Sequence, residues 1–531
     1  MKPSPQHQSL GKWLWIGVGV LVTCWALRPI WDMDLWWHIA LGRLILDTGF
    51  PSTDPLAVGR GALEWSTFQG GYEVMVSAVE EYLGLFGVRL IHALAVGCGV
   101  GLAGYTIHRQ NGHPWLALAV AFLLLFLYED RIRVRPHVFH FLGMSWMLFR
   151  LASPGFHWRR GDLWFLIPVI MVWSSFHGPA SLWGLLLIGA GTLARYRSRE
   201  SWEVAFASGI AVLVTPGVLP GLISAFSVHT RPGIQARFVP EHGNLFHYLD
   251  GGPRGFLVVA LAVAGALALG AALTGLWKRR DKEWIALALG VIPMGIFSLL
   301  FARFAWYALG PILLVAVVFG KRLPTKSGWV ILALAASLFT WDATQYVLPR
   351  YGDQETSQWS QDIQEGRPHH FPLAATRFLQ KAEIGGQIYN EVGWGGYLLY
   401  ALPRGTRTLY DSRIAFVPKA ADLLIEDDEL MVQRMRSLRA TTGKERREGE
   451  IAFGLSRERL AEEAHTLGVD LVVRRAPVFG TAGVAEPPKS WTLLYRDGMA
   501  EVWARNDEQL SSRLSKIQKA WGEGQVQRTP E

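Results

Sequence analysis

Long apolar runs, joined by short connections whose basic residues fall on alternate sides, constrain this chain more than any other feature. A helix needs roughly 17–25 mostly apolar residues to cross a bilayer, because its backbone N–H and C=O groups must be satisfied within the segment. The sequence predicts about eleven such spans, at about 12–28, 86–107, 113–129, 135–152, 162–177, 179–195, 203–226, 254–277, 283–301, 304–320 and 326–342. One set of connections carries Lys2 and Lys12; His108 and Arg109; Arg150, Arg159 and Arg160; Arg195, Arg197 and Arg199; Lys278, Arg279, Arg280 and Lys282; and Lys321, Arg322 and Lys326. Basic residues in short loops stay in the cytoplasm, which makes this set cytoplasmic. The amino terminus is then inside, and an odd number of spans puts the carboxyl-terminal part outside. The other face holds residues 29–85, 129–135, the 227–253 loop and Arg303.

Composition agrees. Hydrophobic residues make up 50% of the chain and charged residues only 18%, below the usual quarter. The net charge of +8 raises nucleic acid as a partner, but the basic residues sit at the ends of apolar runs rather than on one patch, so that class is excluded. Cys24 and Cys98 both lie in apolar stretches, where they build neither a disulfide framework nor a zinc site. Leu27, Arg28 and Pro29 follow the first run in place of a small-residue cleavage site, so that run reads as an uncleaved helix.

The expected fold is mainly α: a polytopic transmembrane helical domain over 1–342 with a small extracytoplasmic α/β domain after it. Between the first two spans, Leu35, Ile39 and Leu44 recur at helical spacing, which predicts an interfacial helix at about 35–47. A second half-submerged helix is expected at about 72–83, carrying Glu73, Glu80 and Glu81. A polar linker covers 343–372, the soluble α/β domain 373–505, and a fraying polar tail 506–531. Within the soluble domain the pattern predicts strands at 387–392, 407–413 and 469–475, helices at 395–402 and 457–467, and a hairpin turned at Asp497-Gly498.

Three features carry chemistry. Asp32 and Asp34 lie just past the first span, at the start of a helix, where a carboxylate caps free N–H groups and meets the positive helix end. Asp34 and His38 stand four residues apart on one helical face and could bind a divalent metal or hold a nucleophile's proton. The second feature is Glu129, Asp130, Arg131, Arg133 and Arg135 on the external side, where positive charge is disfavoured. On an extended backbone the three arginines point one way, an arrangement that suits phosphate, or else anionic headgroups. Arg231, Arg237 and Arg303 add basic residues to that face. The third feature is the histidines His137, His140, His177, His229, His242 and His247, each more readily a packed residue than a ligand, with His177 standing at a span end. No Walker loop, dinucleotide fingerprint, zinc-protease helix or nucleophile elbow occurs.

An acidic pair after the first span, an interfacial helix behind it and a second acidic element between spans three and four together resemble the C-type membrane glycosyltransferases. The chain is most similar to a bacterial multi-pass branch with Asp34-Leu35-Trp36-Trp37-His38, Arg135-Pro136-His137-Val138-Phe139, Trp394-Gly395-Gly396-Tyr397 and Asp411-Ser412-Arg413. There is no Trp-Trp-Asp-Tyr-Gly signature, which sets the chain apart from enzymes that transfer preassembled oligosaccharides to Asn.

The resemblance implies an enzyme of the bacterial cytoplasmic membrane. Such an enzyme passes a sugar from a polyprenyl-phosphate donor to a glycan, lipid or protein acceptor at the external face, with inversion. It implies Asp34, or else Asp32, as general base, and Arg131, Arg133, Arg135 and Arg303 on the donor phosphate. His38, Glu129 and Asp130 would serve a divalent metal (Mg or Mn) or the acceptor; His137, His177, Arg231, Arg237, Asp411 and Arg413 are further candidates. Two other classes stay open. A polymerase or ligase of lipid-linked glycans would place its chemistry in the 227–253 loop, with Arg231, Arg237 and His242. A transporter or assembly scaffold would place ionisable residues inside the spans, which by sequence are nearly free of them.

Overall fold

The computed structural model describes residues 5–28, 30, 32–58, 67–153, 158–195, 198–223, 245–278, 282–300, 309–320, 324–348, 371–391, 393–409, 411–413, 464–465, 467–476 and 489–522. These are mostly helical, with one small sheet. The chain divides into two compact units: Met1–Ile30, Thr67–Tyr72 and Val79–Trp359 form the first; Trp31–Ser66, Glu73–Ala78 and Ser360–Glu531 form the second.

Helices overlap every apolar run read from the sequence. They are α1 (Pro5–Ala26), α2 (Asp34–Thr48), α3 (Gly70–Asn111), α4 (Pro114–Tyr128), α5 (His137–Ala152), α6 (Leu163–Phe176), α7 (Gly178–Arg195), α8 (Arg199–Val214), α9 (Gly252–Lys278), α10 (Lys282–Leu300), α11 (Leu309–Phe319) and α12 (Thr325–Asp342). Among the described residues, three helices are long and apolar enough to cross a membrane: Gly70–Asn111, Gly252–Lys278 and Lys326–Val347. Two boundaries differ from expectation. The run at 203–226 is broken rather than continuous: α8 ends at Val214, the chain turns through 215–217, where Pro216 has no N–H to continue the ladder, and helix resumes over 218–223. The helices expected at 72–83 and 86–107 form one element, α3, kinked at Gly84, whose φ of 65° only glycine adopts cheaply.

In the first unit, buried Trp15, Val96, Phe126, Met147 and Leu187 belong to one apolar core. Its polar contacts fall at opposite helix ends. At one end, Arg28, Glu129, Arg254 and Asp342 join the ends of α1, α4 and α12 to the start of α9. At the other, Arg109 of α3 donates to Ser153 after α5 at 2.7 Å, Arg150 pairs with Asp162 before α6, and Arg160 pairs with Glu203 of α8. Among the described residues, the contacts of Arg109, Arg150 and Arg160 thus lie at the helix ends opposite those of Arg28 and Arg254.

The second unit holds β1 (Gln387–Asn390), β2 (Arg407–Thr408), β3 (Leu471–Arg475), β4 (Trp491–Arg496) and β5 (Ala500–Arg505) in the order β2-β1-β3-β5-β4. β1 runs parallel to β2 and β3, and β5 pairs antiparallel with β3 and β4. In the predicted hairpin, Asp497 Oδ1 accepts the N–H groups of Met499 and Ala500, both at 2.7 Å. The strand expected over 407–413 stops after Thr408. Asp411 then accepts the Arg413 N–H at 2.8 Å and turns the backbone. The helix expected at 457–467 lies almost wholly outside the described residues.

Alternate residues of the strands, including Ile388, Leu471, Val473, Val502 and Ala504, pack with three helices. These are α13 (Leu373–Lys381), α14 (Gly395–Ala401) and α15 (Leu510–Gly522). The last corrects the tail expected after Arg505: Ile517 and Ala520, three apart on one face, are buried in this core. At the β2 edge, Thr408 exchanges backbone hydrogen bonds with Leu56 and Val58, so the stretch after α2 extends the sheet.

Candidate functional site

Asp32 and Asp34 begin the site in the second unit. Asp32 is 2% exposed, and its Oδ1 accepts the Asp34 N–H at 2.9 Å, which fixes the turn into α2. Asp34 is half-buried and is the first residue of the helix, at its positive end. Two residues on, Trp36 is fully buried among Phe371, Tyr397 and Tyr400, with ring centroids 5.8, 5.2 and 4.9 Å away. Burial pushes the Tyr397 hydroxyl up to about 12.

Trp37 turns to the other distant motif. Its indole N–H donates to Ser412 Oγ at 2.9 Å, and its ring lies 5.9 Å from the Arg413 guanidinium. Arg413 is 2% exposed; it grips Asp411 through Nε and Nη2 and donates Nη1 to Asp54 at 2.9 Å. Burial alone would lower its pKa, but the Asp411 and Asp54 carboxylates raise it above the ordinary value. His38 stacks on Trp37, with ring centroids 3.6 Å apart, and its Nδ1 lies 3.6 Å from Glu73 Oε1, both side chains being buried. Three short motifs, at 34–38, 394–397 and 411–413, thus meet around one aromatic and ionic cluster.

The first unit contains a charge cluster that sequence reasoning only half finds. Glu129, 3% exposed, accepts from Arg28 Nη1 at 3.1 Å and from Arg254 Nη2 at 3.2 Å. Arg254 also donates Nε to Asp342 at 2.7 Å. Glu129 therefore has guanidinium partners on both oxygens, whereas the sequence suggests it for a metal or an acceptor. Asp130 lies beside it, and its side chain is outside the described residues. Among the described residues no group of three or more His, Cys, Asp or Glu side chains is placed to hold a metal ion.

The alternation argument for Arg131, Arg133 and Arg135 requires an extended backbone, and the structure corrects it. Glu129–Arg131 is a 3-10 turn, and the Arg135 N–H donates to the Arg133 carbonyl at 2.8 Å, which folds the segment back. Arg131 is buried, while Arg133 and Arg135 are half-buried. His137 and His177 come together with ring centroids 4.6 Å apart, and His140 accepts from the Trp173 indole at 3.2 Å. Arg231, Arg237, Arg303, His229 and His242 lie outside the described residues, as does the side chain of His247.

Sequence reasoning misses Arg28, Arg89, Arg254, Asp342 and the pairing of Glu73 with His38. Arg89 and His92 are buried inside α3, in a set of spans that by sequence are nearly free of ionisable groups. A usable signal exists for Arg28 and Arg254: each is a positive charge beside an apolar run, away from the connections in which the other basic residues cluster. No local signal links His38 to Glu73, which meet only through the packing of α2 on the first turns of α3.

No family model matches the chain, and no curated protein matches it. Among solved structures, the chain is similar to the crystal structure of ArnT from Cupriavidus metallidurans bound to undecaprenyl phosphate. The identity is 14% and the TM-score 0.44, over 92% of this chain and 97% of that one.

Proposed function

We propose that this protein is a membrane-embedded glycosyltransferase that moves a sugar from a polyprenyl-phosphate donor to an acceptor at the external membrane face, with inversion. The observation that carries this reading is the meeting of the 34–38, 394–397 and 411–413 motifs in one buried cluster, with Asp34 at the start of the helix that the cluster holds. Asp32 is committed to its turn, which makes Asp34 the better general base. As the bond from the anomeric carbon to phosphate breaks, Asp34 takes the proton of the acceptor hydroxyl, and the new bond forms on the opposite face of the sugar. Arg133 and Arg135, the half-buried arginines of the turned segment, would offset the charge of the departing phosphate. The apolar helices explain why the donor would be a lipid: its prenyl chain stays in hydrocarbon while its phosphate reaches the helix ends. On this reading the amino terminus is cytoplasmic and the second unit extracytoplasmic.

Binding of farnesyl phosphate to the full-length protein in nanodiscs tests the donor assignment. Each charge-assisted contact contributes about 1.5–3 kcal/mol. Replacing Arg133 or Arg135 by Gln should therefore weaken binding about tenfold or more, and replacing both about a hundredfold or more, at unchanged melting temperature. Unchanged affinity would return these arginines to ordinary headgroup contacts.

A further inference from the structure

A buried guanidinium normally has its N–H groups matched, because desolvating an unpaired charge costs several kcal/mol. Arg28 departs from that rule. It is 4% exposed, and its Nη1 is paired with Glu129. Among the described residues, its buried Nε and Nη2 have no hydrogen-bond partner. These two nitrogens lie along one edge of the guanidinium and point their N–H bonds in parallel, the fork that takes two oxygens of one anion. Beside it, the indole N–H of Trp25 is also buried and unmatched, and the Arg28 guanidinium lies 5.1 Å from the centre of that ring.

The surroundings favour an anion. Glu129 is shared with Arg254, which is itself shared with Asp342. Arg89 donates from Nε and Nη2 to the carbonyls of Arg28 and Leu27, closing the end of α1 and fixing the backbone from which Arg28 extends. The unmatched Arg28 edge and the Trp25 indole N–H thus lie within one polar cluster at the helix ends, where Glu129 divides its charge between two guanidinium groups.

We infer that the Arg28 edge and the Trp25 indole N–H form an anion-binding site for a group presenting two oxygens, a phosphate ester or free phosphate. The inference stands on Arg28 and Trp25 and does not depend on sugar transfer. Burial makes it selective. A bound anion there is largely desolvated, so a matched fork counts for more than at the surface, and a lysine's point charge is a poor substitute.

The test uses the full-length protein in phosphatidylcholine nanodiscs, with farnesyl phosphate, farnesol and inorganic phosphate as probes. Arg28→Lys keeps the charge but loses the fork; Trp25→Phe keeps the ring but loses the donor. The expected result is that farnesyl phosphate binds the wild type, farnesol does not compete, Arg28→Lys weakens binding about tenfold and Trp25→Phe about threefold. Competition by inorganic phosphate at millimolar concentration assigns the site to a free ion; its failure to compete assigns the site to a lipid phosphate. Farnesyl phosphate affinity unchanged in both variants overturns the inference, and Trp25→Phe decides the matter if Arg28→Lys does not fold. The Arg133/Arg135→Gln protein separates the two proposals: a loss there with none in the Arg28 and Trp25 variants keeps the donor assignment and removes this one.

Discussion

The Trp37 indole N–H donates to the Ser412 hydroxyl at 2.9 Å, joining residues 375 positions apart. That bond ties the helix after the first apolar run to the turn after β2. Neighbouring contacts reinforce it: Arg43 donates to the Tyr400 carbonyl at 3.1 Å, and Arg404 pairs with Asp47. The acidic start of α2 is therefore held by other elements of its own unit.

Gly42 sets how closely α2 approaches the first turns of α3. A Cβ there would lie 2.0 Å from the Glu73 carbonyl oxygen and 2.8 Å from Ser77 Cβ. Gly42→Ala must push the helices apart and should destabilise the protein by about 1–3 kcal/mol. Denaturant unfolding checks this; an unchanged midpoint would show that the two elements separate freely.

Arg413 neutralises two buried carboxylates. Arg413→Gln leaves Asp54 and Asp411 without their counter-ion and should cost about 3–5 kcal/mol. Arg413→Lys, which keeps the charge but cannot bridge both partners through a fork, should cost less. Limited proteolysis of the second unit, read alongside denaturant unfolding, measures both.

Much of this architecture is legible in the sequence. Apolar runs of spanning length sit where the helices stand, and the Asp497-Gly498 turn marks the β4–β5 hairpin. What is not legible depends on distant packing. The parallel register of Ile388 with Leu471 joins strands separated by more than eighty residues, and periodicity says nothing about it. The Arg131–Arg135 strip misleads because alternate spacing implies one face only if the backbone stays extended, and here it turns. The tail misleads because overall polarity hides the Leu510, Leu514 and Ile517 stripe of an amphipathic helix.

Tyr397 gives a pH dependence. Its folded pKa of about 12 lies above the ordinary 10. Between those values the unfolded chain releases the proton and the folded chain keeps it. Stability is therefore fully present below pH 10 and falls as pH rises toward 12. The shift corresponds to roughly 2–3 kcal/mol. Tyr397→Phe should flatten this part of the alkaline unfolding curve; an identical slope in the variant would contradict the assignment.

Glu129 links Arg28 to Arg254. Glu129→Gln leaves two buried guanidinium groups without their shared carboxylate and should cost the helical unit about 3–5 kcal/mol. The melting temperature in detergent reads this directly. A double variant, Glu129→Gln with Arg28→Gln, should recover part of the loss, since Arg254 keeps Asp342 while the second change removes the charge that Glu129 had matched.

The central claim is that Asp34 is the base in transfer of sugar from a polyprenyl-phosphate donor. The direct measurement is release of polyprenyl phosphate, followed by mass spectrometry, from a panel of polyprenyl-phosphate hexoses and pentoses. It uses the full-length protein in nanodiscs supplied with acceptor extract from bacterial envelopes. With at least one donor the wild type should release polyprenyl phosphate, and Asp34→Asn should do so about 10²–10⁴-fold more slowly at unchanged melting temperature. Equal release by wild type and Asp34→Asn, or no release above a protein-free control with any donor, would contradict the account.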